Sequence, residues 1–381
     1  MYNNRVYLEK AQVFRKCCSK FYKILEISPK SSRQIKVIEK LTNSYDFVKR
    51  TRKEPSQVLV GPEEEKEITA ILRKSNIDFK ITHRYNFNSK NADAEGAQEF
   101  CYENKSYCFH SHEEINDILD QFQKKFPKYV SVNNAGASYE NRTLKTISIT
   151  NGDGKKNKPI IFIDAGMHAR EWLSPAVGLY VIKQLIEKFS ENKQLLETHD
   201  WIVMPLITLM AMNSHDPIIE IAWTSTDECS ITYKGPKPFS EPETAVLRDV
   251  LKSYKGRISF YLTLHSNGQC LLYPWGYDVI DAPNKDELED VAQAGSKAIF
   301  NLTGRKYRVG NSAKILYPAA GTSDDFAYHE GARIVITMEL PSGEQARFHP
   351  PTKDIRKYVE ESWVGIKAMA SKVIEKYSKI F

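Results

Sequence analysis

Residues 159–172, PIIFIDAGMHAREW, place a histidine and a glutamate directly after a run of apolar side chains. The run at 160–163 is short and almost continuously apolar, which is typical of a strand buried on both faces of a sheet. His168 and Glu171 follow it three residues apart. Because sites in α/β proteins collect where strands end, this stretch predicts a buried strand that leads into a functional site.

From about residue 107 onwards, apolar strands alternate with helical patterns. Ser111 and Glu114 have the spacing of a capping box and predict a helix that runs to about residue 125. The alternation predicts an α/β domain over residues 107–381, with a mostly parallel sheet between helices. Strands are predicted at 143–150, 159–164, 201–206, 258–264 and 333–340, and helices at 174–189, 241–254, 284–302 and from 353 onwards.

Residues 20–86 predict a separate, smaller α+β domain. Its strands and helices follow the order βαββαβ, which favours a ferredoxin-like antiparallel sheet covered by two helices. Residues 87–106 are polar and lack apolar periodicity, so they are interpreted as a linker between the two domains.

Composition excludes some classes of function. The net charge of +6 is spread along the chain without a basic block interleaved with aromatic residues, so we expect no nucleic-acid partner. No run approaches the roughly 18 apolar residues of a membrane span. The charged N-terminus lacks the apolar core of a signal peptide, which taken literally favours the cytosol. Six irregularly spaced cysteines fix neither a disulfide framework nor a zinc ribbon.

Three groups with metal or acid–base chemistry fall at or just after predicted strand ends: the pair His168 and Glu171, then His265, and then Glu339. Two histidines and one carboxylate, with a fourth position left for water, form a catalytic zinc arrangement. A further carboxylate that is not a ligand can act as general base. Taken alone, the pair of His168 and Glu171, and likewise His265, is more typical of an ordinary loop, so the zinc interpretation depends on the rest of the chain.

Four motifs together resemble the zinc carboxypeptidases of the carboxypeptidase A/B family. They are GMHAREW at 166–172, TLHSNGQCLLYPWGY at 263–277, YPAAGTSDDFAY at 317–328 and MEL at 338–340. Their order is that of the family, and the resemblance covers nearly all of the chain from about residue 20. It implies a mixed eight-stranded sheet between helices. It also implies that residues 20–86 form an activation propeptide.

The resemblance implies a metal centre with one zinc ion. His168, Glu171 and His265 would be its ligands, and Glu339 would be the general base that activates the attacking water. The chemistry implied is hydrolysis of the C-terminal peptide bond of peptides and proteins.

The resemblance also implies how the substrate is bound. Arg170 would be a substrate-binding arginine, and Tyr317 would be the mobile tyrosine that closes over the bound C-terminus. Asp324 falls at the family's specificity position, where an aspartate implies a carboxypeptidase B-like preference for C-terminal Lys or Arg. We further expect a secreted monomeric proenzyme, activated by a protease that cuts within 87–106, although no signal peptide is visible.

The chain departs from the family around residues 206–224. The family's Asn-Pro-Asp-Gly-Tyr motif, its oxyanion-stabilising arginine and its Asp-x-Asn-Arg-Asn stretch are missing there, and LITLMAMNSHDPIIEIAW stands in their place. Two alternatives follow: a catalytically impaired zinc- or peptide-binding protein, or a faulty gene model of an active carboxypeptidase. When residues 207–215 are back-translated and read in a shifted frame, the possible codons allow the Asn-Pro-Asp-Gly-Tyr motif. Sequencing the transcript therefore distinguishes an impaired protein from a faulty gene model.

Overall fold

The computed structural model describes residues 22–41, 46–49, 55–60, 62–85, 108–168, 171–207, 235–341, 350 and 354–377. The chain divides into two compact units: the described residues up to 85 and residue 350 belong to the first, and residues 108–341 and 354–377 that are described belong to the second. Arg170, the linker 87–106 and most of the segment 206–224 lie outside the described residues.

The first unit has the predicted βαββαβ order. Its sheet runs in the order β2-β3-β1-β4, and each neighbouring pair is antiparallel, which is the ferredoxin-like arrangement. Alternate residues of the central strands, such as Leu25 and Ile27, are buried together with Ile68 and Leu72 of the second helix. The elements are β1 (Tyr22–Ser28), α1 (Ser32–Leu41), β2 (Asp46–Lys49), β3 (Ser56–Val60), α2 (Pro62–Lys74) and β4 (Asp78–Tyr85).

The second unit contains the larger sheet and its helices. The predicted capping box is present, since the Glu114 amide donates to Ser111 and the Glu114 carboxylate accepts from the Ser111 amide. Within the described residues, no helix combines the length and the apolar character needed to cross a membrane. The elements are α3 (His112–Lys125), β5 (Val130–Ala137), β6 (Thr143–Ile149), β7 (Ile160–Ala165), α4 (Leu173–Ile186), α5 (Phe189–Asn192), β8 (Asp200–Met204), α6 (Pro242–Ser253), β9 (Ile258–Ser266), β10 (Cys270–Tyr273), α7 (Lys285–Thr303), β11 (Arg308–Asn311), α8 (Ser312–Ile315), α9 (Ser323–His329), β12 (Ile334–Leu340) and α10 (Ile355–Tyr377).

The larger sheet is mixed and mostly parallel, as predicted. Among the described residues it has eight strands in the order β11-β10-β12-β9-β7-β8-β6-β5. The pairs β10/β11, β12/β9, β9/β7 and β7/β8 are parallel, and the other three pairs are antiparallel. The sequence patterns missed β5, β10 and β11 as separate strands. The strands β10 and β11 have only four residues each, and β5 is polar and glycine-containing, so none carries a clear periodicity.

The register of the three central parallel strands places polar residues in rows. On β9, Thr263 lies opposite Asp164 of β7 and opposite Thr337 of β12, and His265 lies opposite Glu339 of β12. Both β7 and β9 are buried along their whole length. The carboxyl ends of these strands therefore meet at one edge of the sheet, where the predicted site residues come together.

Candidate active site

The chain turns sharply after β7, and this turn brings the first two candidate ligands to the sheet edge. Gly166 has a positive φ of 68°, and a Cβ atom there would lie 2.6 Å from Leu206 Cδ1. Glycine is the residue that tolerates this backbone conformation and this close approach. The turn places His168 beside Glu171, whose amide donates to the His168 carbonyl just before α4 begins.

His168, Glu171 and His265 form a compact cluster of potential ligand atoms. His168 Nδ1 lies 2.8 Å from Glu171 Oε1, and His265 Nδ1 lies 3.1 Å from Glu171 Oε2. The two Nδ1 atoms are 3.2 Å apart. In a tetrahedral site with zinc–ligand bonds of about 2.0–2.1 Å, ligand atoms lie about 3.3 Å from one another. The donor types and their spacing therefore fit a zinc ion.

The electrostatics of the cluster also suit a cation. Burial alone would raise the pKa of Glu171, but the neighbouring His168 and His265 outweigh burial and lower that pKa to about 2. The Glu171 carboxylate is thus ionised at neutral pH although it is buried. An ionised carboxylate and two imidazole nitrogens converging in a buried space are the chemistry of a metal site.

Glu339 lies next to this cluster on the neighbouring strand. It pairs with His265 across β12 and β9, so the two backbones are separated by one strand spacing of about 4.8 Å. Its side chain is half-buried, whereas its strand neighbours Met338 and Leu340 are buried. The register thus holds a partly accessible carboxylate beside the cluster.

Asp324, at the start of α9, is buried with only 3% of its surface exposed. Its Oδ2 accepts a hydrogen bond of 2.8 Å from the Thr337 hydroxyl, and its Oδ1 accepts one from the Asp325 amide. Asp325 accepts from the amides of Gly276 and Tyr277. Burial, reinforced by Asp324, raises the pKa of Asp325 to about 7. Two adjacent carboxylates are therefore held in a poorly solvated place.

The other two predicted substrate residues are Tyr317 and Arg170. Tyr317 lies in the loop between α8 and α9, and its side chain is 49% exposed. Arg170 belongs to the part of the chain that the structure does not describe.

Two residues behind the cluster were missed by the sequence analysis. Asp164 and Thr263 are buried on β7 and β9 and lie beneath His265. The available signal was a charged residue inside an otherwise apolar strand, since Asp164 follows the run 160–163 directly. A buried carboxylate in such a run is costly and therefore calls for a partner.

Comparison with known proteins agrees with this geometry. Residues 115–208 and 213–365 match the zinc carboxypeptidase family model, and residues 25–84 match the model of the carboxypeptidase activation peptide. The chain belongs to the zinc carboxypeptidases. The predicted family and fold class are thus confirmed, and with them a metallocarboxypeptidase that uses one zinc ion and is made with an activation peptide.

Individual relatives carry both A and B names. Carboxypeptidase B of Helicoverpa zea is 32% identical over 389 aligned residues, covering 87% of this chain and 89% of that protein. Zinc carboxypeptidase A 1 of Anopheles gambiae is 29% identical over 374 aligned residues, covering 88% of this chain and 85% of that protein. The crystal structure of carboxypeptidase A from Helicoverpa armigera superimposes with a TM-score of 0.72 at 24% identity, covering 94% of this chain and 98% of that one. Membership in the zinc carboxypeptidases therefore leaves the preferred C-terminal residue open.

Replacing His265 by alanine is expected to abolish stoichiometric zinc binding, because two donors remain where a catalytic zinc site has three. The measurement is the metal content per chain after dialysis, by elemental analysis. His329→Ala is the matched control, since His329 is exposed at the end of α9 and outside the cluster. Equal zinc content in His265→Ala and the parent protein would contradict the ligand assignment.

Proposed function

We propose that this chain is a secreted proenzyme that removes Lys or Arg from the C-termini of peptides and proteins. In this proposal His168, Glu171 and His265 hold the zinc ion, and Glu339 is the general base. The observation that carries it is the cluster of two Nδ1 atoms and one carboxylate, with Glu339 paired opposite His265.

The roles of the residues follow from their positions. When bound, zinc supplies Lewis acidity that polarises the substrate carbonyl and acidifies water. Glu339 accepts a proton from the attacking water and then returns it to the nitrogen of the leaving residue, as a general base that becomes a general acid. Tyr317, exposed on its loop, contacts the substrate from the solvent side, and Arg170 binds the substrate as the resemblance implies.

The preference for basic residues rests on Asp324. A buried carboxylate is costly unless a cation pairs with it, so a pocket ending at Asp324 accepts Lys or Arg and rejects apolar side chains. The Thr337 hydroxyl and the Asp325 amide fix the carboxylate in place. Asp325 adds a second negative charge once it is ionised.

The proposed compartment and activation rest on the first unit and on a cysteine. Cys108 is disulfide-bonded, and such bonds persist mainly in oxidising compartments such as the extracellular space. The activation peptide lies before the polar linker 87–106, where an activating protease would cut. We propose that the active form is a monomer.

A second candidate function comes from the segment 206–224, which lies almost wholly outside the described residues. The chain as written lacks the family's oxyanion arginine and carboxylate anchor there, and loss of one oxyanion donor typically costs about 100–1,000-fold in rate. A zinc-loaded protein that binds peptides without turnover would support a non-catalytic binding protein. Turnover by the parent protein would support the exopeptidase.

The first test of the exopeptidase is the variant Glu339→Gln. Loss of the general base is expected to lower kcat by about 100–10,000-fold, while zinc content stays at one per chain. Release of the C-terminal residue from short peptides is measured with and without a chelator. Glu375→Gln, an exposed glutamate on α10, is the control and keeps full activity. Undiminished kcat in Glu339→Gln would contradict its role.

The second test addresses the Lys/Arg preference. Asp324→Asn is expected to lower kcat/KM for Arg-ending peptides relative to Leu-ending ones by about 30-fold or more, because truncating a buried charge pair costs about 2 kcal/mol or more. Asp286→Asn makes the same change at an exposed position on α7 and leaves selectivity unchanged. A parent protein that prefers Leu, or an Asp324→Asn variant that keeps its selectivity for Arg, would rule out this preference.

The same pocket predicts a pH dependence. Asp325 is protonated below its raised pKa of about 7 and ionised above it, so the pocket gains negative charge as pH rises. We therefore expect the ratio of kcat/KM for Arg-ending over Leu-ending peptides to rise through about pH 7. In this ratio, the effects of titrating groups that change kcat/KM equally for both peptides cancel. A flat or falling ratio would contradict the placement of Asp325 beside the bound cation.

Limited proteolysis tests the proenzyme. Trypsin is expected to cut first between residues 90 and 105, in the polar linker, and to release a fragment that carries the first unit. Mass spectrometry of the early products identifies the site. Early cuts spread over both units, with no preferred cut in this window, would count against a separable activation peptide.

A further inference from the structure

Thr263 lies between a buried carboxylate and a histidine of the metal cluster. Its hydroxyl donates to Asp164 Oδ1 over 2.7 Å, and its Oγ1 lies 3.1 Å from His265 Nε2. Asp164 is fully buried, and Thr263 and His265 are each 1% exposed. Solvent therefore does not compete for these hydrogen bonds.

The backbone fixes this arrangement. Asp164 and Thr263 are register partners on the parallel strands β7 and β9, so their side chains lie side by side. Thr263 and His265 are two residues apart on one strand and therefore point to the same face. The chain of contacts from Asp164 through Thr263 to His265, called the relay below, is therefore fixed by strand pairing. Movement of a loop would not break it.

The directions of the two hydrogen bonds follow from chemistry. Burial raises the pKa of Asp164 to about 6, against the opposing effect of the nearby Tyr261 and Thr263 hydroxyls, so the carboxylate is ionised at neutral pH and only accepts. The Thr263 hydroxyl must then donate its one proton to Asp164. Its oxygen is left to accept, so His265 Nε2 carries a proton and Nδ1 is the ring nitrogen left to bind zinc.

We propose that Asp164 and Thr263 are positioning residues that hold His265 in the tautomer and orientation that bind zinc through Nδ1. This inference rests on the proposed zinc site and deepens it. His265 interacts with the Asp164 carboxylate indirectly, through the Thr263 hydroxyl. Groups that hydrogen-bond a metal-binding histidine in this way fix its ring and raise its basicity, and their loss typically costs about 10–100-fold in metal affinity.

The strand pair offers a matched control for Thr263. On the same two strands, the buried Ser259 hydroxyl donates to the Ile160 carbonyl over 2.9 Å, at the end away from the metal cluster. Ser259→Ala therefore removes a buried hydroxyl and one hydrogen bond between β9 and β7, as Thr263→Val does, but it leaves His265 untouched.

The first experiment measures zinc dissociation constants by competition with a chelator. Thr263→Val and Asp164→Asn are each expected to weaken zinc binding by about 10–100-fold. Thr263→Ser keeps the hydroxyl and is expected to restore affinity to within a few-fold of the parent, as is Ser259→Ala. Equal weakening in Thr263→Val and Ser259→Ala would reduce the role of Thr263 to strand pairing and overturn the proposal.

The second experiment reads the tautomer directly. In zinc-loaded protein labelled with ¹⁵N-histidine, the His265 Nε2–H proton is expected to exchange slowly with solvent in the parent and in Thr263→Ser, and faster in Thr263→Val. Zinc bound to Nε2 of the parent His265, with the ring proton on Nδ1, would overturn the proposal. Failure of the proposed zinc site and failure of the relay alone give different results. Zinc bound elsewhere, or not at all, in the parent defeats the proposed site, whereas normal zinc binding with no effect of Thr263→Val or Asp164→Asn defeats only the relay.

Discussion

Parallel pairing of the buried strands β7, β9 and β12 is the constraint on which the site depends. The pairing sets Asp164, Thr263 and Thr337 in one row, and His265 and Glu339 in the next row towards the sheet edge. A slip of one residue in any of these strands would turn its site residues to the opposite face of the sheet. The register therefore fixes His265 and Glu339 relative to each other, and the turn at Gly166 brings His168 and Glu171 to them.

Local hydrogen bonds explain how the protein keeps three carboxylates buried. Asp164 accepts from Thr263, Asp324 accepts from Thr337, and Asp325 accepts from two backbone amides. Each hydrogen bond offsets part of the cost of removing a carboxylate from water. The remaining cost shows in the raised pKa values of Asp164 and Asp325. In our proposal Asp164 orients the zinc-binding His265 through the Thr263 hydroxyl, and the other two carboxylates face the basic side chain of the substrate.

Much of the fold could be predicted from the sequence because its long central strands are continuously apolar. The mixed sheet, the ferredoxin-like first unit and the family are confirmed. The strands β5, β10 and β11 were missed because short or polar strands carry little periodicity. The cluster of His168, Glu171 and His265 followed from residues at strand ends, although the roles of these residues, of Glu339 and of Asp324 stay predictions. Asp164 and Thr263 could not be found from local patterns, because they are 99 residues apart and meet only through strand register.

The most direct test of the central claim is anomalous X-ray scattering from crystals of the purified protein, measured on both sides of the zinc absorption edge. The account predicts one strong zinc peak per chain, bonded to Nδ1 of His168, Nδ1 of His265 and the carboxylate of Glu171. The His265 Nε2 atom should remain turned towards Thr263. A zinc peak at any other position, or no peak from protein purified with zinc, would contradict the assignment of this cluster as the catalytic metal centre.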